Sequence, residues 1–129
     1  MQKKVNNAKQ TYLIYYPQII ELIRLLASPF EIQKSAFPDT EDPLLEIADE
    51  LEIKEFYFEH LTKEGLISFE EFRVFSDICK KIESFPKYEW TIEAMKAADS
   101  WNQMRKMALD VLHIFRVDYA KPNIYWYPL

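Results

Sequence analysis

Glycine is nearly absent from this 129-residue chain, occurring once, at Gly65. Tight hairpins recruit glycine for positive φ angles, so a single glycine disfavours a hairpin-rich β fold and leaves helices joined by proline-marked corners as the leading architecture. Cysteine is just as scarce. With Cys79 alone no intrachain disulfide can form, which removes a disulfide scaffold and makes the cytosol the expected compartment. Long apolar runs are missing too: residues 1–10 are polar, and the following apolar stretch is interrupted by Pro17, Glu21 and Arg24. Neither a signal-peptide core nor a membrane span is expected.

What is present is apolar bulk. Hydrophobic residues make up 49% of the chain and aromatics 16%, which fits one compact domain over residues 1–129 burying roughly two-thirds of its unfolded surface. Charge is unevenly spread beneath a net −5. Residues 31–60 carry ten acidic side chains against Lys34 and Lys54, a net of −8, whereas residues 1–30 carry four basic and one acidic. Such a field repels phosphate backbones and attracts cationic surfaces, so nucleic acid is a poor partner and a basic protein a better one. An acidic surface that serves only solubility is the competing explanation.

The fold expected is all-α, a single multi-helix bundle with an extended, aromatic, proline-containing C-terminal tail. Residues 1–11 should fray, and a first helix should open near Pro17 and carry Ile19 through Leu26. Ser28-Pro29-Phe30-Glu31 reads as a capping box for a short helix ending about Ala36. Asp42-Pro43 starts the next helical stretch, split into two helices near Leu51 to Glu52, with Gly65 as its left-handed C-terminal cap. Ser68 and Glu71 form a second capping box, opening a helix whose inner stripe is Phe69, Phe72, Phe75, Cys79 and Ile82. After a proline-containing connection over residues 84–89, Thr91 caps a short helix through Ala97, and Asp99 or Ser100 caps a long one. Its stripe of Trp101, Met104, Ala108, Val111 and Phe115 steps by three and four throughout. Residues 117–129 hold Pro122 and Pro128 among aromatics, which argues for an extended strap packed over the helices.

Chemistry is harder to find. His60, His113 and Cys79 show neither zinc-finger nor HExxH spacing, so no metal or cofactor is expected. His113 falls opposite the last helix's inner stripe and should be solvated; His60 sits near a helix C-terminus, where an imidazolium is favoured by the dipole. Cys79 on an inner stripe reads as an inert small hydrophobe rather than a nucleophile. Residues 65–72 resemble the second half of an EF-hand loop, with Gly65 at the turn, Ile67 at the apolar position and Glu71 as the bidentate carboxylate. His60, Thr62 and Glu64 stand where that loop needs oxygen-rich aspartate or asparagine, and a glycine cap followed by a capping box accounts for the same letters without calcium. A helix-turn-helix reader at the same corner would present Glu70 and Glu71 to phosphate, the wrong sign for the ligand.

The acidic row remains. Glu52, Glu55 and Glu59 project together from one helix face, a self-repelling arrangement that only Lys63 is close enough to relieve, while Phe56 and Leu61 are expected to turn inward. Glu46, Asp49 and Glu50 extend the patch, and an exposed Tyr57 or Phe58 would supply an aromatic anchor. The candidate partner-binding residues are therefore Glu46, Asp49, Glu50, Glu52, Glu55, Tyr57 and Glu59.

The run from Tyr15-Tyr16-Pro17 through Leu25-Leu26, the Gly65-Leu66-Ile67-Ser68 corner, and Trp90-Thr91 with Ala94, Trp101, Arg105 and Ala108 cover about two-thirds of the chain. On these residues it resembles small helical bacterial immunity proteins of the contact-dependent growth-inhibition and polymorphic-toxin type. The resemblance implies a non-enzymatic cytosolic antidote that occupies a toxin domain, often a nuclease, and carries over no catalytic residue. The alternative is a regulatory or adaptor module with a degenerate EF-hand-like corner.

Overall fold

A computed structural model describes residues 2–127, without the side chains of residues 2–6. Among them are six α-helices and no strand: α1 Gln2–Ala27, α2 Phe30–Ser35, α3 Pro43–Lys63, α4 Phe69–Glu83, α5 Ile92–Ala97 and α6 Asp99–Ile114, with a 3-10 turn at Lys87–Glu89. Helix α1 packs on α3 and α6, and α4 closes the ring by packing on both. The short helices connect these four. Ile19, Leu22, Ile23, Leu25 and Leu26 from α1 meet Ile47, Phe58 and Leu61 from α3, Phe75 and Ile78 from α4, and Trp101 and Met104 from α6 in one continuous core.

Local signals place most helix ends. The Asp42 carboxylate accepts from the Leu44 amide at 3.0 Å with Pro43 in the first turn, and Thr91 Oγ1 accepts from the Ala94 amide at 3.1 Å. Ser68 Oγ accepts from the Glu71 amide and donates to the Glu71 carboxylate, both at 3.1 Å. Gly65 ends α3 at φ +78°, with its amide bonded to Thr62 O and the Leu66 amide to Leu61 O, the paired geometry of a Schellman cap.

Other expectations need correction. Helix α1 does not open near Pro17 but runs through it, and residues 2–11 are helical where fraying was expected, with Ala8 buried. Proline removes the bond to the Leu13 carbonyl, yet Leu13 and Pro17 both lie on an exposed side where water can satisfy it. Helix α3 is one helix, not two: nothing between Leu51 and Glu52 breaks the backbone ladder. Ser28 is no cap. It is buried, bonded to Arg24 O at 2.7 Å and to the Tyr119 phenol at 2.8 Å, and Pro29 occupies the cap position of α2 without a side-chain bond. Neither Asp99 nor Ser100 caps α6; Ala98 stands there, and Ser100 Oγ is buried without a partner. Phe69, placed on the inner stripe of α4, is 72% exposed, and Val74 and Ile78 join Phe75, Cys79 and Ile82 inside instead.

Beyond α6 the chain turns at Arg116, whose φ of 59° repeats the cap geometry of Gly65: its amide bonds His113 O and the Val117 amide bonds Leu112 O. Residues 117–124 are irregular. Arg24 donates twice to Asp118 O, at 3.0 and 3.1 Å, the Asn123 amide donates to Glu21 Oε1 at 3.1 Å, and Tyr127 meets Phe37 edge to face at 5.0 Å. Pro128 and Leu129 lie outside the described residues.

Candidate functional site

A 21-residue helix in a four-helix ring exposes the arc its neighbours leave uncovered, and α3 places six of its seven candidate residues on two different sides of that arc, with Asp49 between them. Glu46, Glu50 and Tyr57 face α1 and the C-terminal segment. Glu50 Oε2 accepts from Lys54 Nζ at 2.9 Å and from Trp126 Nε1 at 3.0 Å. Lys54 is 3% exposed, its ammonium 4.9 Å from the Trp126 ring centroid and 5.6 Å from that of Tyr15. The lysine thus sits between two aromatic faces with one carboxylate, a desolvated cation fully compensated by its surroundings. Tyr57 stacks on Tyr15 with centroids 3.8 Å apart, and Phe58, the other candidate anchor, is wholly buried against Phe75. Partial burial and the Glu46 carboxylate, with Glu41 and Glu50 beyond it, push the Tyr127 phenol up to about 12. On this side the carboxylates are occupied by the protein itself.

Glu52, Glu55 and Glu59 lie on the other side. Lys63 Nζ reaches Glu59 at 3.3 Å in an exposed pair, and no ion pair engages Glu52 or Glu55 among the described residues. Glu52 and Glu55 turn toward α4, where Glu83 joins them around a groove floored by Leu51, Cys79 and Ile82. Burial first, then the adjacent Glu55 carboxylate and Glu83 beyond it, hold the Cys79 thiol well above its ordinary range. A thiol so placed is a poor nucleophile.

Between the two sides runs an outward stripe of Leu45, Asp49, Ile53, Phe56 and His60, at steps of four, four, three and four. Phe56 does not turn inward: it is 67% exposed, and Leu45 is 60% exposed on the same stripe. These apolar residues were missed because their spacing is as helical as that of the buried set, and only the positions of α1 and α4 decide which stripe is covered. Glu83 and Trp90 were missed because they reach the groove from elements distant in sequence.

The calcium-loop likeness resolves into helix capping. Glu71 accepts from the Tyr16 phenol at 2.8 Å as well as from Ser68, so both its oxygens serve the α1–α4 contact and the cap. His60 and His113 are exposed on α3 and α6. Among the described residues no group of three or more His, Cys, Asp or Glu side chains could hold a metal ion, and no helix is long and apolar enough to cross a membrane. No family model, curated protein or solved structure matches this chain.

Proposed function

We propose that the chain is a non-enzymatic immunity protein that binds and neutralises a cognate basic toxin domain, of the nuclease type, through the outer face of α3. One observation carries this reading: Phe56, 67% exposed, stands between Glu52 and Glu59 at i−4 and i+3 on a face that no element covers among the described residues. Exposed apolar anchors framed by like charges match the composition of an interface in which aromatics supply affinity and charges supply speed and selectivity. The acidic sign suits a domain that itself binds phosphate, because the surface that attracts a nucleic-acid backbone also attracts these carboxylates. Inhibition would come from occupancy in the bacterial cytoplasm.

The test is growth protection. The chain is co-expressed with the toxic domain encoded beside its own gene, as wild type and with Glu52→Lys, Glu55→Lys and Glu59→Lys combined. Wild type restores growth, and the reversed, still helical variant loses protection by about tenfold or more. Failure of the wild type to protect overturns the immunity reading. Undiminished protection by the reversed variant overturns the assignment of the surface.

A further inference from the structure

The groove between α3 and α4 encloses about 380 Å³, at the small end of the roughly 300–1,000 Å³ typical of ligand sites. Its floor is apolar, and its three carboxylates, Glu52 and Glu55 from α3 and Glu83 from α4, meet no cation among the described residues. Trp90, half-buried and held by its Nε1 bond to Phe85 O at 3.2 Å, contributes an aromatic wall. We propose that this groove receives a single arginine side chain from the basic partner, stem on Leu51 and Ile82 and guanidinium against Glu55 and Glu83. The proposal rests on the binding reading above and names the chemistry of its central contact.

The chemistry of the groove selects that occupant. A long cationic side chain satisfies the floor and the rim at once, since its methylenes cover apolar surface while its head meets carboxylates. Arginine fits better than lysine, because a weakly hydrated planar fork can bridge carboxylates from two helices and lie against an indole. A hard metal ion fits worse, because it needs its oxygens gathered around one point, and among the described residues no three carboxylates converge so as to hold one. Arginine is also the side chain most suited to phosphate recognition, so occupying one on a nuclease would remove a substrate contact.

The test is an NMR titration of the full chain at low salt with Nα-acetyl-arginine methylamide, with the lysine and citrulline analogues as parallel arms. Saturable shifts are expected at the Trp90 indole N–H and the Leu51 and Ile82 methyls, at millimolar concentrations, several-fold tighter for arginine than for lysine and lost for neutral citrulline. Glu55→Gln and, separately, the exposed Glu83→Gln weaken the titration several-fold, whereas Glu70→Gln, outside the groove, leaves it unchanged. Absence of saturable groove shifts, equal response to citrulline, or indifference to both groove variants would overturn the proposal. A silent groove in a protein whose protection still depends on Glu52, Glu55 and Glu59 overturns the arginine site and leaves the immunity reading standing. A groove that titrates normally in a protein that gives no protection overturns that reading instead.

Discussion

The two flanks of α3 carry the same chemistry to different ends. Toward α1, Glu50 meets Lys54 and Trp126, and Glu46 lies beside Tyr127, so every carboxylate has a use inside the fold. Toward α4 and solvent, among the described residues, Glu52 and Glu55 have no ion-pair partner and Glu59 has only the exposed Lys63. A carboxylate inside a network stabilises the fold only while its partners remain, whereas a solvated row costs a few tenths of a kcal/mol per like-charged pair. Acidic residues spaced alike along one helix therefore divide into a structural set and a set free to be used outside the molecule.

The largest effect should come from breaking the inner set. Lys54→Ala strands Glu50 against Trp126 and opens the space between two rings, at a cost of about 3 kcal/mol in urea unfolding. A loss within the error of that measurement would mean the inner pair is no more structural than the outer row. Trp126→Phe keeps a ring over the ammonium but removes the bond to Glu50, and should cost about 1.5 kcal/mol in the same assay.

Alkaline pH tests the inner flank without mutation. The Tyr127 phenol is pushed up from 10.0 to about 12, so the folded state favours its neutral form. Its contribution is complete below pH 10 and is lost as pH rises through about 12. Ultraviolet titration of tyrosinate should show several late-ionising groups, Tyr15 and Tyr16 among them, of which the one belonging to Tyr127 moves toward 10 in Glu46→Gln. An unmoved titration would remove Glu46 from the inner set. The smallest effect belongs to the outer row: converting Glu52, Glu55 and Glu59 to glutamine together should leave stability unchanged or raise it by a few tenths of a kcal/mol. A clear loss would place that row among the structural carboxylates.

What could be read from the letters was local. Asp42, Thr91, Ser68 and Gly65 act on backbone groups within a few residues, and the stripe from Trp101 to Phe115 faces one way because its own helix says so. The all-α bundle follows from those signals. The errors and omissions arose where distant residues decide. Ser28 leaves its cap position because Tyr119 reaches it across the fold. Gln33 is buried because its amide donates to Leu25 O and Leu26 O while its oxygen accepts from Arg105. Arg116 takes a left-handed φ that glycine would adopt more cheaply, because the chain must turn there to bring Arg24 to Asp118. Within the candidate site, the row of Glu52, Glu55 and Glu59 was legible by spacing alone. The burial of Lys54 depends on Trp126, 72 positions later, and the exposure of Phe56 depends on which sides of α3 its neighbours leave bare.

The central claim, that the outer flank of α3 is the surface presented to a basic protein, is tested most directly by association kinetics. Stopped-flow binding to the toxic domain is measured at low and at physiological salt, for wild type and for the variant combining Glu52→Lys, Glu55→Lys and Glu59→Lys. The account predicts fast, salt-sensitive association for wild type, and for the reversed variant a rate at least about tenfold slower at low salt with little salt dependence left. Equal rates and equal salt dependence would contradict it.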